Sequence, residues 1–141
     1  MSSAGPKARV QPETFRARSL ALSLTVKDLQ KSVAWYRDVI GFVVAREIER
    51  DGKVRSVRMK AGSVEILLNQ DDGAKGWDRT KGEGMSFQFT TAQSIDEVAS
   101  RIKSQGGKLE TEPADMPWGV RMFRVRDPDG FLFSISSPRP D

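Results

Sequence analysis

The chain has 141 residues, 38% of them hydrophobic and 30% charged, with a formal charge of +4 and neither histidine nor cysteine. That length suits one domain, or two small modules sharing a core, and the missing cysteines exclude disulfides, thiolate nucleophiles and thiolate metal sites. Basic residues alternate with Asp and Glu instead of forming blocks, so no nucleic-acid partner is expected. No stretch approaches the roughly 18 apolar residues that span a bilayer, and residues 1–18 lack the apolar run of a secretory signal. No membrane partner is expected, and a cytoplasmic location is.

Residues 1–18 are expected to form a flexible arm, its first part rich in small residues, Pro and basic residues. From Leu20 the apolar Leu22, Leu24 and Val26 alternate with Ala21, Ser23 and Thr25, which predicts a strand with one apolar face. Asp28 is a helix N-cap, Leu29, Val33, Tyr36 and Ile40 recur at helical spacing, and Gly41 suits a left-handed C-cap. Strands follow at 42–47, 54–60 and 63–69, with turns at Asp51-Gly52 and Ala61-Gly62.

The same order then recurs. Met85, Phe87 and Phe89 alternate with Ser86, Gln88 and Thr90 as a strand; Ser94 and Glu97 form a capping box ahead of Ile95, Val98, Ala99 and Ile102. Gly106-Gly107 ends that helix, and strands are predicted at 108–112, 120–126 and 131–136, the last two joined at Asp129-Gly130. The pattern is strand, helix, three strands, twice, with a period of about 65 residues, longer than the roughly 20–50 of solenoids and propellers. The organisation expected is an arm at 1–18, a first module at 19–69, a linker at 70–83 and a second module at 84–138, all one paired domain. A linker of that length is functional or disordered.

Two stretches carry a resemblance: the strand–helix unit from Leu22 through Trp35-Tyr36 to Gly41-Phe42, and the terminal Asp127-Pro128-Asp129-Gly130 followed by Phe131 to Ile135. In order and spacing, from Ser19 to Pro138, they resemble the glyoxalase / bleomycin resistance protein / extradiol dioxygenase (vicinal oxygen chelate) superfamily. The resemblance implies an α+β fold of two tandem βαβββ modules, with curved mixed sheets around a cleft, and commonly a homodimer. Metal-dependent members draw ligands from cleft-facing positions of the first and fourth strands of each module. Strand by strand, those positions correspond here to Ala21, Glu65, Gly84 (with Ser86 a neighbour) and Ser134. Of these only Glu65 has a ligand side chain.

A catalytic zinc takes mostly histidine ligands and a non-haem iron typically two histidines with a carboxylate, so one Glu beside Ala, Gly and Ser makes neither site. No metal and no cofactor is expected, and glyoxalase I or ring-cleaving dioxygenase activity is not. The chain resembles the metal-free, bleomycin-binding branch through Pro117-Trp118-Gly119 with Arg121 nearby. The reading is a protein that holds a small aromatic or amphipathic molecule, with antibiotic sequestration as one use. The alternative is a metal-dependent lyase, isomerase or dioxygenase of the same superfamily that uses Glu65.

Candidate ligand-binding residues are Ser23, Glu65, Leu67, Trp77, Ser86, Gln88, Trp118, Arg121, Leu132 and Ser134, with Ser136 on the same cleft face. Glu65 is also the one candidate catalytic group, as a base or a counter-charge; its purely structural reading is a salt bridge to a cleft arginine, for example Arg55 or Arg121. Trp118 offers a stacking face or packs a strand entry. Trp77 covers the cleft, meets a partner, or folds back on a sheet edge. Asp71 and Asp72 read as a solvated loop, and Trp35, Tyr36, Phe131 and Phe133 as core.

Overall fold

A computed structural model describes residues 14–140 of the chain. Most of the expected N-terminal arm therefore lies outside the described residues. Strand β1 (Leu22–Val26) leads to Asp28, whose side chain accepts from the Lys31 N–H and starts α1 (Leu29–Ala34). The helix does not continue as α to Gly41. Its second half, Trp35–Ile40, widens into a π-helix that ends where Gly41 turns left-handed at φ 109°. Periodicity alone does not distinguish the two, because both leave Tyr36 facing inward.

Strands β2 (Val43–Arg50), β3 (Lys53–Ala61) and β4 (Val64–Gln70) complete a four-stranded sheet ordered β1-β4-β3-β2. Asp51 and Gly52, with φ of 56° and 76°, make the positive-φ pair of a tight hairpin. After the linker, β5 (Phe87–Thr90), α2 (Ile95–Ser104), β6 (Leu109–Asp115), β7 (Arg121–Arg126) and β8 (Leu132–Ser136) repeat the arrangement, ordered β5-β8-β7-β6. In each sheet the first and fourth strands are parallel, Ser23 opposite Leu67 and Gln88 opposite Ser134. Ser94 accepts from the Glu97 N–H as the capping box requires.

Strand β6 runs past the predicted end and through Pro113. As an edge strand it can spare the missing N–H, and its register shifts twice against β7. Strand β2, the edge of the other sheet, has all eight residues exposed, Val43, Val44 and Ile48 among them. Among the described residues no helix is long and apolar enough to cross a membrane.

Alternation sorts each sheet into an inner and an open face. Leu24, Val57, Met59, Ile66 and Leu68 of the first sheet, and Phe123, Val125, Phe133 and Ile135 of the second, share one core with the helices. Tyr36 lies at its centre, stacked on Phe133 and edge-on to Trp35 and Phe42. Its Oη donates to Asp127 Oδ2 at 2.7 Å across the two modules. The other oxygen of Asp127 accepts from the N–H groups of Asp129 and Phe131, both at 2.9 Å. Burial, countered by these donors, still leaves the Asp127 carboxyl above its ordinary range, and the same burial pushes the Tyr36 phenol far up. The helices also touch: Arg101 Nη1 donates to the Ile40 carbonyl, and a Cβ on Gly107 would collide with Ile102 and Val39.

The linker corrects one expectation. Asp71 is not solvated: it is 4% exposed and accepts from the Gly73 N–H at 2.9 Å. Lys81, itself nearly buried, lies 2.9 Å from Asp71 and 3.1 Å from Asp129, and Arg79 adds a contact to Asp71 at 3.3 Å. Asp129 also accepts from the Lys27 N–H at 2.8 Å. The segment between the modules is thus pinned by buried charge pairing, which the run of Gly, Lys and Asp conceals. Asp72 does stay exposed, holding the Ala74 N–H.

Two outcomes follow for stability. Replacing Tyr36 with Phe leaves Asp127 one donor short and should cost about 1–3 kcal/mol, read as a lowered midpoint in urea unfolding. The Gly73 N–H and then Lys81 hold the Asp71 carboxyl down, from 3.8 to about 2. Its contribution is full above a pH of about 4 and drains as pH falls through about 2. The gap in melting temperature between wild type and Asp71→Asn should therefore be widest above that range and close on acidification.

Candidate functional site

The open faces carry the residues that the core does not use. On the first sheet these are Ser23 and Thr25 of β1, Glu65, Leu67 and Asn69 of β4, and Ser56, Arg58 and Lys60 of β3, in phase opposite to the buried residues. Ser56 Oγ donates to Asn69 Oδ1 at 2.7 Å, and Asn69 Nδ2 donates to Ser23 Oγ at 2.8 Å. Ser23 is thereby held in a hydrogen-bonded row across the strands. Glu65 is paired, Oε1 standing 3.1 Å from Arg58 Nε. Its partner is neither Arg55 nor Arg121. The ladder sets Arg58 opposite Leu67, the next residue but one on the same face, which brings it within diagonal reach of Glu65.

On the second sheet, Ser86, Gln88, Trp118, Leu132 and Ser134 come together around one cavity of about 270 Å³, joined by Met122 and Arg124. Trp118 sits on the turn between β6 and β7, half-exposed, held where Met116 N–H bonds Val120 O and Gly119 N–H bonds Met116 O. The floor is neutral and polar: Ser134 Oγ stands 3.5 Å from Gln88 Oε1. The cavity shares Ser86 and Leu132 with a larger one, about 740 Å³, that runs beneath Arg126 and along the linker from Asp78 to Met85.

The remaining candidates lie elsewhere. Arg121 donates to Asp96 at 3.0 and 2.9 Å and to Asp115 at 3.1 Å, and these carboxylates push its guanidinium pKa up. Trp77 lies over Gly73, where an added Cβ would meet its ring, and lines a separate shallow cavity with Lys27, Lys31 and Gln70. Ser136 shares the phase of Leu132 and Ser134 but is fully buried opposite Met122, its hydroxyl donating to Ser137 O, and does not line the cavity. Ser23, Glu65 and Leu67 belong to the other sheet.

Sequence reasoning missed Arg124 and Met122. The signal was available: Met122, Arg124 and Arg126 hold the open phase of β7, whereas Phe123 and Val125 hold the buried one. Arg121 was favoured for its closeness to Trp118 in sequence, yet it stands in the opposite phase.

The donor set does not fit a metal. Ala21 and Gly84 offer no side-chain donor, Glu65 is held by Arg58, and Ser134 is a neutral, buried hydroxyl. Among the described residues no three Asp or Glu side chains converge as a cation site would require.

The architecture is thus one of paired βαβββ modules with parallel first and fourth strands and an open polar face on each sheet. The profile of the Glyoxalase/Bleomycin resistance protein/Dioxygenase superfamily matches residues 18–135, and the chain belongs to that superfamily. It is similar to a lactoylglutathione lyase of Salmonella typhimurium, 27% identical over 124 residues, which cover 84% of this chain and 90% of that protein. A lactoylglutathione lyase of Arabidopsis thaliana, GLX1, is 23% identical over 135 residues, 92% of this chain, but the chain spans about half of that protein, 47%. Among solved structures, a superfamily member from Sphaerobacter thermophilus superposes with a TM-score of 0.71 at 23% identity, over 87% of this chain and 98% of that one.

An exposed ion pair contributes about 0–1 kcal/mol. Glu65→Gln should therefore shift the unfolding free energy by no more than that; a loss of several kcal/mol would mean that the residue bears on the fold after all.

Proposed function

We propose that the chain is a metal-free binding protein that holds a small aromatic or amphipathic molecule against the open face of β5, β8 and β7, antibiotic sequestration being one use of such a site. The observation that carries this is the cavity itself. Trp118 provides a flat apolar wall over Ser86, Gln88 and Ser134, in place of the charged donors a metal would need. Adjoining volumes of about 270 and 740 Å³ suit a ligand of drug size.

Homodimerisation belongs to the same reading. Strand β2 exposes Val43, Val44 and Ile48, which a second copy of the chain could cover. A copy of the chain laying its first sheet near the second sheet of its partner would bring Ser23, Glu65 and Leu67 toward the cavity around Trp118. A cytoplasmic setting is consistent with a chain that has no cysteine.

The alternative, a metal-dependent lyase, isomerase or dioxygenase using Glu65, draws on the lactoylglutathione lyase relatives. Against it stands the Arg58 contact, which occupies the carboxylate.

A thermal-shift screen of planar aromatic compounds should yield ligands, since occupancy at 100 times Kd stabilises by about 2.7 kcal/mol. Trp118→Ala should weaken those ligands several-fold, in line with about 0.5–1.5 kcal/mol for lost ring stacking. Tightly held stoichiometric metal together with turnover abolished by Glu65→Gln would overturn the reading.

A further inference from the structure

Two of the three arginines of β7 have their guanidinium groups paired. Arg121 is committed to Asp96 and Asp115, and Arg126 to Glu110 at 3.3 Å and the Gly130 carbonyl at 3.0 Å. Arg124 stands between them, opposite Ser134 in the ladder. Its backbone N–H bonds Thr111 Oγ1, but among the described residues its guanidinium has neither a hydrogen-bond acceptor nor a carboxylate. It lines the cavity beneath Trp118, beside the Gln88 amide and the Ser134 hydroxyl.

We propose that this cavity selects aromatic carboxylates, with the ring against Trp118 and the carboxylate on Arg124. The proposal rests on the binding-protein reading above and narrows it to a ligand class. A guanidinium presents its donors as a rigid fork that matches the two oxygens of a carboxylate. Gln88 and Ser134 add neutral donors beside the same spot. A ring that covers the cavity also strips water from Arg124. A neutral or cationic ligand would leave that charge dry and unpaired, whereas a carboxylate supplies the counter-charge as it removes the water. The neighbouring cavity, continuous through Ser86 and Leu132, leaves room for a substituent extending toward the linker.

The rival occupant of Arg124 is a carboxylate from a second copy of the chain, and a matched pair of probes separates the two. Calorimetric titration of the full chain with 2-naphthoate and 2-naphthamide compares one ring with and without the charge. Wild type should bind the acid roughly 10-fold or more tightly than the amide, the margin expected of a hydrogen-bonded charge. Arg124→Gln should abolish the preference for the acid, weakening the acid and, with the unpaired charge gone, binding the amide no less tightly than wild type does. Trp118→Ala should weaken both and preserve the ratio. Raised salt should weaken the acid alone. Arg124 is exposed, and a melting curve of the variant checks that its fold is intact.

Equal affinities in wild type, or a preference for the acid that survives Arg124→Gln, would overturn the proposal while leaving a ring-binding protein. Binding of neither probe would overturn the proposal and count against the binding-protein reading with it.

Discussion

The hydrogen bond from Tyr36 to Asp127 is the joint on which the two modules turn. It ties the first helix of one module to the turn before the last strand of the other, inside the core, at 2.7 Å. Around it the rings of Trp35, Phe42 and Phe133 close the seam, and Asp127 in turn holds the backbone of Asp129 and Phe131. Tyr36 is carried on the π-helical stretch Trp35–Ile40. A wider helical turn rotates side chains relative to an α-helix, and here it ends with Arg101 of the other module bonded to its last carbonyl. With the helices and inner faces committed to this seam, chemistry is left to the outer faces of the sheets.

Those faces differ in how their charges are spent. The first sheet sets Arg58 on Glu65 and links Ser56, Asn69 and Ser23 in a row of hydrogen bonds. The second sheet holds Arg121 and Arg126 in ion pairs but leaves Arg124 over a neutral floor. On β7, carboxylates thus stand beside Arg121 and Arg126 and not beside Arg124. Phase along the strand sets Arg121 apart from Arg124 and Arg126, and Glu110 on β6 then claims Arg126 alone of those two.

Element order and type were legible in the sequence because local signals agreed with the global packing: the Asp28 and Ser94 caps, the Asp51-Gly52 turn, and the alternation of β1, β4 and β8. The π-helix was not, since Tyr36 and Ile40 satisfy either helical period. The extension of β6 through Pro113 was hidden because an edge strand tolerates what a central strand forbids. The buried charges of Asp71, Lys81 and Asp129 were hidden for a different reason. Their partners are 10 and 48 residues apart by number, and composition describes a surface and a buried network in the same letters. At the candidate site, five residues chosen by face and motif, Ser86, Gln88, Trp118, Leu132 and Ser134, do share a cavity. Arg121 and Trp77 were chosen by proximity in sequence and chemical character, and tertiary structure sends them elsewhere.

The outer strands of the two sheets carry one more consequence. Strand β6 combines a proline with two register shifts, and β2 combines register shifts with Arg46, Glu47, Glu49 and Arg50. Both devices spoil the straight, unpaired row of N–H and C=O groups that another strand would need to extend a sheet. Growth along the hydrogen-bonding direction, the route to fibres, is thereby discouraged at β2 and β6. Any contact made on that side of each sheet is left to faces, where side chains rather than backbone decide the fit.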